Sequence, residues 1–561
     1  MRIAKAAESV LVAGVSFGCA TVLSAAVLAW LAGALHPWVS AAALVLGVVA
    51  AIASVQRMDS AATPWTRWEW AALAAFALVS IRQFVWLVFE RDGALLTLLP
   101  NNYGDLPLHW TYVQQLASGA RFWPENPILT HERLRYPIGV DLMTAVIVSL
   151  GASLPLGLVT IGLFGSLLAA LSLRRWGGAF AVAGFVFCGG LAGVSSLLSG
   201  KLVDVDAQVA WKNLFLALFV PQRGFLLALP AGLVLLSSWR ARMLRDERGL
   251  PLWIETLPWS ALPLIHLHTF AFVSLLFAVW TAASGRWRWG IQSVGAALVP
   301  ATWAVLLVTG GPGSARLVGW ARGWVMGDEN PALFLAKNFG FWLPLAALAL
   351  VEGVRARRRE ALLLLVPSLA VFALLFFVRL APWAWDNTKV MLWCLVAMLP
   401  ALDGLVIARV RPALRAASLV LLFASGIASV LWACVGRLPR LEVLTVAEYA
   451  GVCEALAKTP TTRVATYPTF NHPVALCGRP LVAGYPGHLW SHGLDSSKVE
   501  AQLKRVMLGE AGWRQEAVAL GASHVFWGAR ESSAFPTSTH PWEALGPPAA
   551  SGPWGALYRL D

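Results

Sequence analysis

The sequence is poor in charge: only 13% of its 561 residues are Asp, Glu, Lys or Arg, and 58% are hydrophobic. The charged share is about half that of an ordinary soluble domain, which excludes a conventional soluble enzyme. Cysteine is scarce as well. There are six, with no CxxC, and Cys19, Cys188, Cys394 and Cys434 sit inside apolar runs, so neither a zinc module nor a dense disulfide scaffold is encoded. Walker A, HExxH, nucleophile-elbow, kinase and Rossmann signatures are all missing, which leaves ATP-driven chemistry without a motif. No repeat of roughly 20–50 residues stands out, and inverted halves of the kind found in many secondary transporters are not legible.

What the sequence has is long apolar runs. Mean hydropathy is +0.66, and most runs reach the roughly 17–25 residues needed to cross a bilayer as a helix. The formal net charge of +13 points to membrane orientation rather than to nucleic acid, because the arginines cluster in short turns between apolar runs, as cytoplasmic turns do. Arg2 and Lys5 before the first run place the N-terminus inside. That run is too long for a signal peptide and reads as an anchor. Spans are expected near 9–34, 38–55 and 69–89, with Arg57 and Arg67 inside, and then near 178–199, 221–239, 290–309, 334–352, 361–380, 387–407 and 415–434. The stretch 141–173 reads as a short interfacial helix followed by a span, broken at Gly151 to Pro155. The stretch 250–285 reads as two short spans turning at His266-Leu-His268, since one span would leave Arg286 and Arg288 outside. The total is about thirteen spans, N-terminus in and C-terminus out.

The expected architecture is therefore an α-helical polytopic membrane domain over 1–436 and a small extracytoplasmic α/β domain over 437–561, where polar residues rise and apolar runs shorten. Within the latter, 463–467, 523–527 and 552–560 read as strands and 497–508 as an amphipathic helix. Cys453 and Cys477 both fall there, on the side where disulfides persist, but spacing alone leaves their bonding open.

The longest polar interruption among the spans, 91–140, is the first place to look for chemistry. Asp105 and His109 share a helix face there. A carboxylate four residues from an imidazole suits a general base or part of a metal site, while Asp105 as a helix N-cap is the plainer alternative. Beyond them, Arg135 and Tyr136 lie in a Pro-turned stretch, HERLRYP, that suits either the rim of a cleft or a rigid loop with interfacial aromatics. Ionisable residues at the outer ends of spans are costly unless paired or functional, and Arg223, His266 with His268, Arg379, and Asp386 with Lys389 converge at that level. They offer cations and donors for a phosphate. Asp386 and Lys389 pairing with each other, and Arg379 snorkelling to the interface, are the mundane readings. Gly310 to Ser314 with Arg316 resembles a phosphate loop only superficially and reads as a flexible turn.

Taken together, GDLPLHW, FWPENP, LRYPIGVDL, PLIHLHTF, WDNTK and NHPVALCGRPLVAGYPGHLWSHG resemble motifs of the GT-C superfamily of integral membrane glycosyltransferases, in particular bacterial multi-spanning members. The resemblance covers most of 100–530. It implies a cell-envelope enzyme of the inner membrane that takes a sugar from a polyprenyl-phosphate or pyrophosphate donor and transfers it outside the membrane to a lipid, glycan or protein acceptor. It also implies that Asp105 is the catalytic acidic position, and the convergence of Arg223, His266, His268 and Lys389 at one face sets them around the donor phosphate. Many members show two adjacent acids in this loop, whereas Leu106 follows Asp105 here. A divalent metal is therefore an open cofactor question, with Asp105 and His109 as candidate ligands and Glu125 or Asp141 as possible additions. The His- and aromatic-rich 471–493, holding His472 and His492, is either a wall for the acceptor or the loop that docks the outer domain. A lipid or glycan transporter and a non-catalytic scaffold remain the rival readings.

Overall fold

A computed structural model describes residues 2–56, 64–311, 318–460 and 462–560. Arg57, Ser314 and Arg316 lie outside the described residues. Among those described, eight helices are long and apolar enough to cross a membrane: Arg2–Ala32, Pro37–Val55, Leu154–Val186, Phe225–Leu244, Leu267–Ser284, Trp287–Thr309, Ala384–Ile407 and Pro412–Val435. This is the architecture of a multi-pass membrane protein. The count is lower than expected because several apolar stretches form shorter helices, such as Leu252–Ile265 and Arg359–Leu374, or broken ones.

Two expected spans are bent or interrupted. Over 334–352 there is no straight helix, because Pro331–Phe339 and Trp342–Arg355 meet at 88° across Gly340, whose φ is +51°. Over 178–199 the chain is not one straight helix either. The helix Leu154–Val186 is interrupted at Gly177 and at Gly178 (φ 62°, ψ −152°), so the part beyond Arg174 and Arg175 is short, and an irregular stretch separates it from the small helix Val194–Ser199. Glycine serves at 178 because an L side chain rarely adopts that backbone conformation.

The basic turns gather at one end of the bundle and are tied down by acids. Arg175 reaches Glu8 at 2.8 Å, Arg174 reaches Glu69 at 3.0 Å, and Arg240 and Arg245 share Glu360. Arg415 closes the turn after Ile407 by donating to its carbonyl at 2.9 Å.

At the opposite end several polar segments are woven into the C-terminal region. Phe89–Arg91, Ala94–Thr97 and Leu441–Thr445 form a three-stranded antiparallel sheet, so the segment leaving the last span pairs with the first polar loop. A four-stranded sheet follows in the order Val464–Ala465, His524–Trp527, Gly555–Arg559, Ala550–Gly552, with its first pair parallel and the rest antiparallel. The helix Ser497–Leu508 packs Leu503, Val506 and Met507 into the core beneath it, and Cys453 and Cys477 are disulfide-bonded. The loop 121–137 runs along this domain as an added edge. The N–H of Thr130 donates to the Val482 carbonyl at 2.9 Å and that of Gly484 to the Ile128 carbonyl at 2.8 Å. Arg463 binds Glu125 at 3.0 Å and the Asn126 carbonyl at 3.1 Å.

Candidate functional site

The site is built where helix ends meet beneath the C-terminal domain. Its acidic residue, Asp105, stands on the helix Pro100–Ala117, which starts with proline at its first position and has Leu99 as N-cap. Asp105 is therefore inside the helix and caps nothing. Its Oδ2 accepts a hydrogen bond from the side-chain amide of Gln222 at 2.7 Å. Burial raises the Asp105 carboxyl above its ordinary value. The charges of His109 and Lys389 and the Gln222 hydrogen bond oppose that rise, while Asp386 adds to it.

His109, one turn along, faces elsewhere. Its Nδ1 lies 2.9 Å from Asp141 Oδ2, and Asp141 in turn lies 3.6 Å from the Arg223 guanidinium, all three side chains being buried. Asp141 occupies the first turn of Gly139–Ser149, where exposed backbone N–H groups favour a carboxylate. Arg223 also donates to Thr144 Oγ1 at 3.1 Å. Yet its Nη1 has no hydrogen-bond partner although the residue is only 2% exposed.

His266 supplies a second unmatched donor. It breaks the chain between Leu252–Ile265 and Leu267–Ser284, with φ −164° and ψ 101°. Its Nδ1 caps the second helix, taking the Thr269 N–H at 3.2 Å and lying 2.8 Å from Thr269 Oγ1. Since Nδ1 accepts the Thr269 N–H it carries no proton, so the Thr269 hydroxyl, which accepts from Trp393 Nε1 at 2.7 Å, donates to it. The proton of the neutral imidazole is thereby fixed on Nε2, which is buried and unpartnered. A buried polar group without a partner costs about 1–3 kcal/mol, and Arg223 Nη1 and His266 Nε2 are both left as donors in that state. Glycines allow the approach. A Cβ on Gly224 would come within 2.6 Å of the Ile265 carbonyl oxygen, and one on Gly139 within 2.8 Å of that of Leu264.

The remaining cation, Lys389, pairs with Asp386 at 3.2 Å at the start of Thr388–Leu402. Asn387 holds this turn by donating to the Leu375 and Val378 carbonyls at 2.9 and 2.8 Å. Next to Arg223, Gln222 touches Asp105, so one dipeptide links the acid to the donor group. The C-terminal domain closes the site from above. His492 packs on Tyr136 with ring centroids 4.8 Å apart, and Tyr136 packs on Tyr112 at 5.4 Å and on His109 at 6.0 Å. His488 hydrogen-bonds the Gly104 backbone. Burial lowers His488 to about 4 and His492 to about 3, with help for His492 from His488, Lys389 and His109. Both rings are neutral near pH 7.

No family model matches this chain, and no curated protein does. Among solved structures it is similar to the Archaeoglobus fulgidus oligosaccharyltransferase tethered through a disulfide bond to an acceptor peptide containing the NVT sequon. The identity is 14% and the TM-score 0.40, over 82% of this chain and 69% of that one. The apo form of the same enzyme gives 13% and 0.40 over the same shares.

Of the residues singled out in the sequence, Asp105, His109, Tyr136, Arg223, His266, His268, Asp386, Lys389 and His492 are brought together; His268 lies beside His266, their ring centroids 5.6 Å apart. His472 is not among them. It is fully buried in the C-terminal domain, 3.0 Å from Glu531 and edge-on to Phe526, and serves that core. Arg135 is also set apart, bound to Glu132 at 3.2 Å with its side chain against Gly310. Arg379 donates to the Pro382 carbonyl at 2.9 Å. Sequence reasoning missed Gln222 and His488, and gave Asp141 only a supporting part. Gln222 stood beside the singled-out Arg223, but an amide carries no charge signal.

The residues present make a poor metal cradle. His109 Nδ1 and Asp141 engage each other, Glu125 is held by Arg463, and Asp105 is left without a second acidic neighbour free to ligate. Among the described residues no group of three or more His, Cys, Asp or Glu side chains is placed to hold an ion.

Proposed function

We propose that this chain is an integral membrane glycosyltransferase of the GT-C type that takes its sugar from a polyprenyl-phosphate or pyrophosphate donor. The observation that carries the reading is a buried carboxylate, Asp105, under the charge of Lys389, together with buried donors left without a partner. Asp105 Oδ2 is held by Gln222, and the neighbouring Arg223 joins His266 Nε2 in presenting donors that no described residue satisfies.

In the reaction, Asp105 Oδ1 accepts the proton of the acceptor hydroxyl as its oxygen bonds to the anomeric carbon. The anomeric carbon–oxygen bond to phosphate breaks, and the polyprenyl phosphate leaves as an anion. Arg223 Nη1, His266 Nε2–H and Lys389 neutralise the charge that develops there, which is where fixed donors gain most. The neutral His488 and His492 and the ring of Tyr136 form the roof on the acceptor side and exclude water.

The same geometry supports the location of the chemistry. The basic turns lie at the end of the bundle away from Asp105, and basic turns favour the cytoplasm. The site and the C-terminal domain then face outward from a bacterial inner membrane, where the acceptor is a lipid, a glycan or a protein. Membranes supplied with radiolabelled polyprenyl-phosphate sugars should show transfer by the wild type and none by Asp105→Asn at matched expression. Transfer undiminished in that variant would reject the assignment.

A further inference from the structure

A cavity of about 820 Å³ opens on the C-terminal domain, between the helix Val446–Lys458 and the edge strand Ala550–Gly552, separate from the residues around Asp105. Its volume is that of a small-molecule site, which runs to roughly 300–1,000 Å³. Four charges line it and each is matched, Glu448 by Arg530 and Glu454 by Lys458. The lining is therefore electrically neutral and rich in paired donors and acceptors. One wall is Trp554, seated against Gly451 and Gly552, where a Cβ would fall 2.6 and 2.7 Å from its ring. Phe526 backs this indole, stacked with ring centroids 5.6 Å apart.

We propose that this cavity binds a neutral oligosaccharide, the glycan part of the acceptor. A flat aromatic face beside interleaved carboxylates and cations with no net charge suits a ring that is apolar on its faces and hydroxylated at its edge. A polyanion would meet Glu448 and Glu454. Tyr103 stands two residues before Asp105 on the helix Pro100–Ala117. From Tyr103 an aromatic strip runs through Phe470 at 5.0 Å and Tyr485 at 5.8 Å to His488 at 5.2 Å, in the roof of the site. A chain of sugars held at Trp554 and laid along this strip would deliver its end to Asp105.

The acceptor role rests on the proposed transfer reaction, but binding does not, and the test separates them. Full-length protein in detergent is applied to an array of immobilised neutral oligosaccharides, as wild type, Trp554→Ala, Ala447→Trp and Asp105→Asn. Ala447 is exposed on the cavity wall, so its indole fills the space without disturbing the core and guards against misfolding of the Trp554 variant. Binding is expected for the wild type and Asp105→Asn, weakened about tenfold in Trp554→Ala by the loss of one aromatic stack and weakened in Ala447→Trp by the filled space. No binding to any glycan, or binding unchanged by Ala447→Trp, would overturn the proposal whatever the transfer assay shows. Binding retained in Asp105→Asn without transfer by the wild type would reject the transferase reading and leave the glycan site standing.

Discussion

The side-chain amide of Gln222 donates to Asp105 Oδ2 at 2.7 Å, fixing one oxygen of the carboxylate and leaving the other to take a proton. The neighbouring Arg223 faces Asp141 and Thr144. Two consecutive residues thus join the base to the donor cluster, and the groups that tune Asp105 can be changed one at a time.

The acid limb of the transfer rate should follow the Asp105 carboxyl, because a base must be deprotonated to act. Burial raises it, Lys389 and Gln222 hold it down, and Asp386 pushes it up. Lys389→Ala and Gln222→Leu should therefore move the acid limb to higher pH, and Asp386→Asn should move it to lower pH. A pH profile of kcat/KM for the three variants checks the signs, and a common direction of shift would contradict the assignment.

Lys389→Ala should also slow turnover by roughly 10²-fold by removing a charge opposite the leaving phosphate. Lys389→Arg should recover part of that loss. The comparison is read from single-turnover rates with donor saturating.

Gly224→Ala should destabilise the fold by about 1–3 kcal/mol, the usual range for an overpacked core. The added methyl group would have to displace the Ile265 backbone, not a pliable side chain. Thermal unfolding in detergent measures this, and an unchanged midpoint would show that the two segments are not in close contact.

The C-terminal domain should weaken in acid through Glu531. Burial favours its protonation, but the His472 hydrogen bond and charge and the Tyr467 N–H outweigh burial and hold the carboxyl below its ordinary 4.5. A depressed carboxyl contributes stability above its unfolded value and loses it as pH falls through the folded one, so this contribution should fade below about pH 4.5. His472→Ala should cost about 1–3 kcal/mol, as expected when a buried acceptor loses one hydrogen-bond partner. Protease resistance of the domain against pH reports both effects.

Much of this architecture was legible because it rests on local signals. The break at His266-Leu-His268 follows from the positive-inside requirement on Arg286 and Arg288, and the helix Ser497–Leu508 from its apolar period. The bend at Gly340 and the interruption at Gly177 and Gly178 were not legible, because hydropathy averages over a window and does not register backbone angles. Within the site, charged residues at helix ends were visible one by one since charge is expensive there. Their pairing was not. Asp141 takes His109 through a contact 32 residues apart in sequence, and His472 meets Glu531 across 59, so a histidine of the candidate site and one of the C-terminal core look alike in the sequence.

The most direct test of the central claim is sugar transfer in membranes given a panel of radiolabelled polyprenyl-phosphate sugars, comparing wild type, Asp105→Asn and Lys389→Ala at equal expression. The account predicts transfer from at least one donor by the wild type, abolished in Asp105→Asn and reduced about 10²-fold in Lys389→Ala. Transfer that survives intact in Asp105→Asn would contradict it.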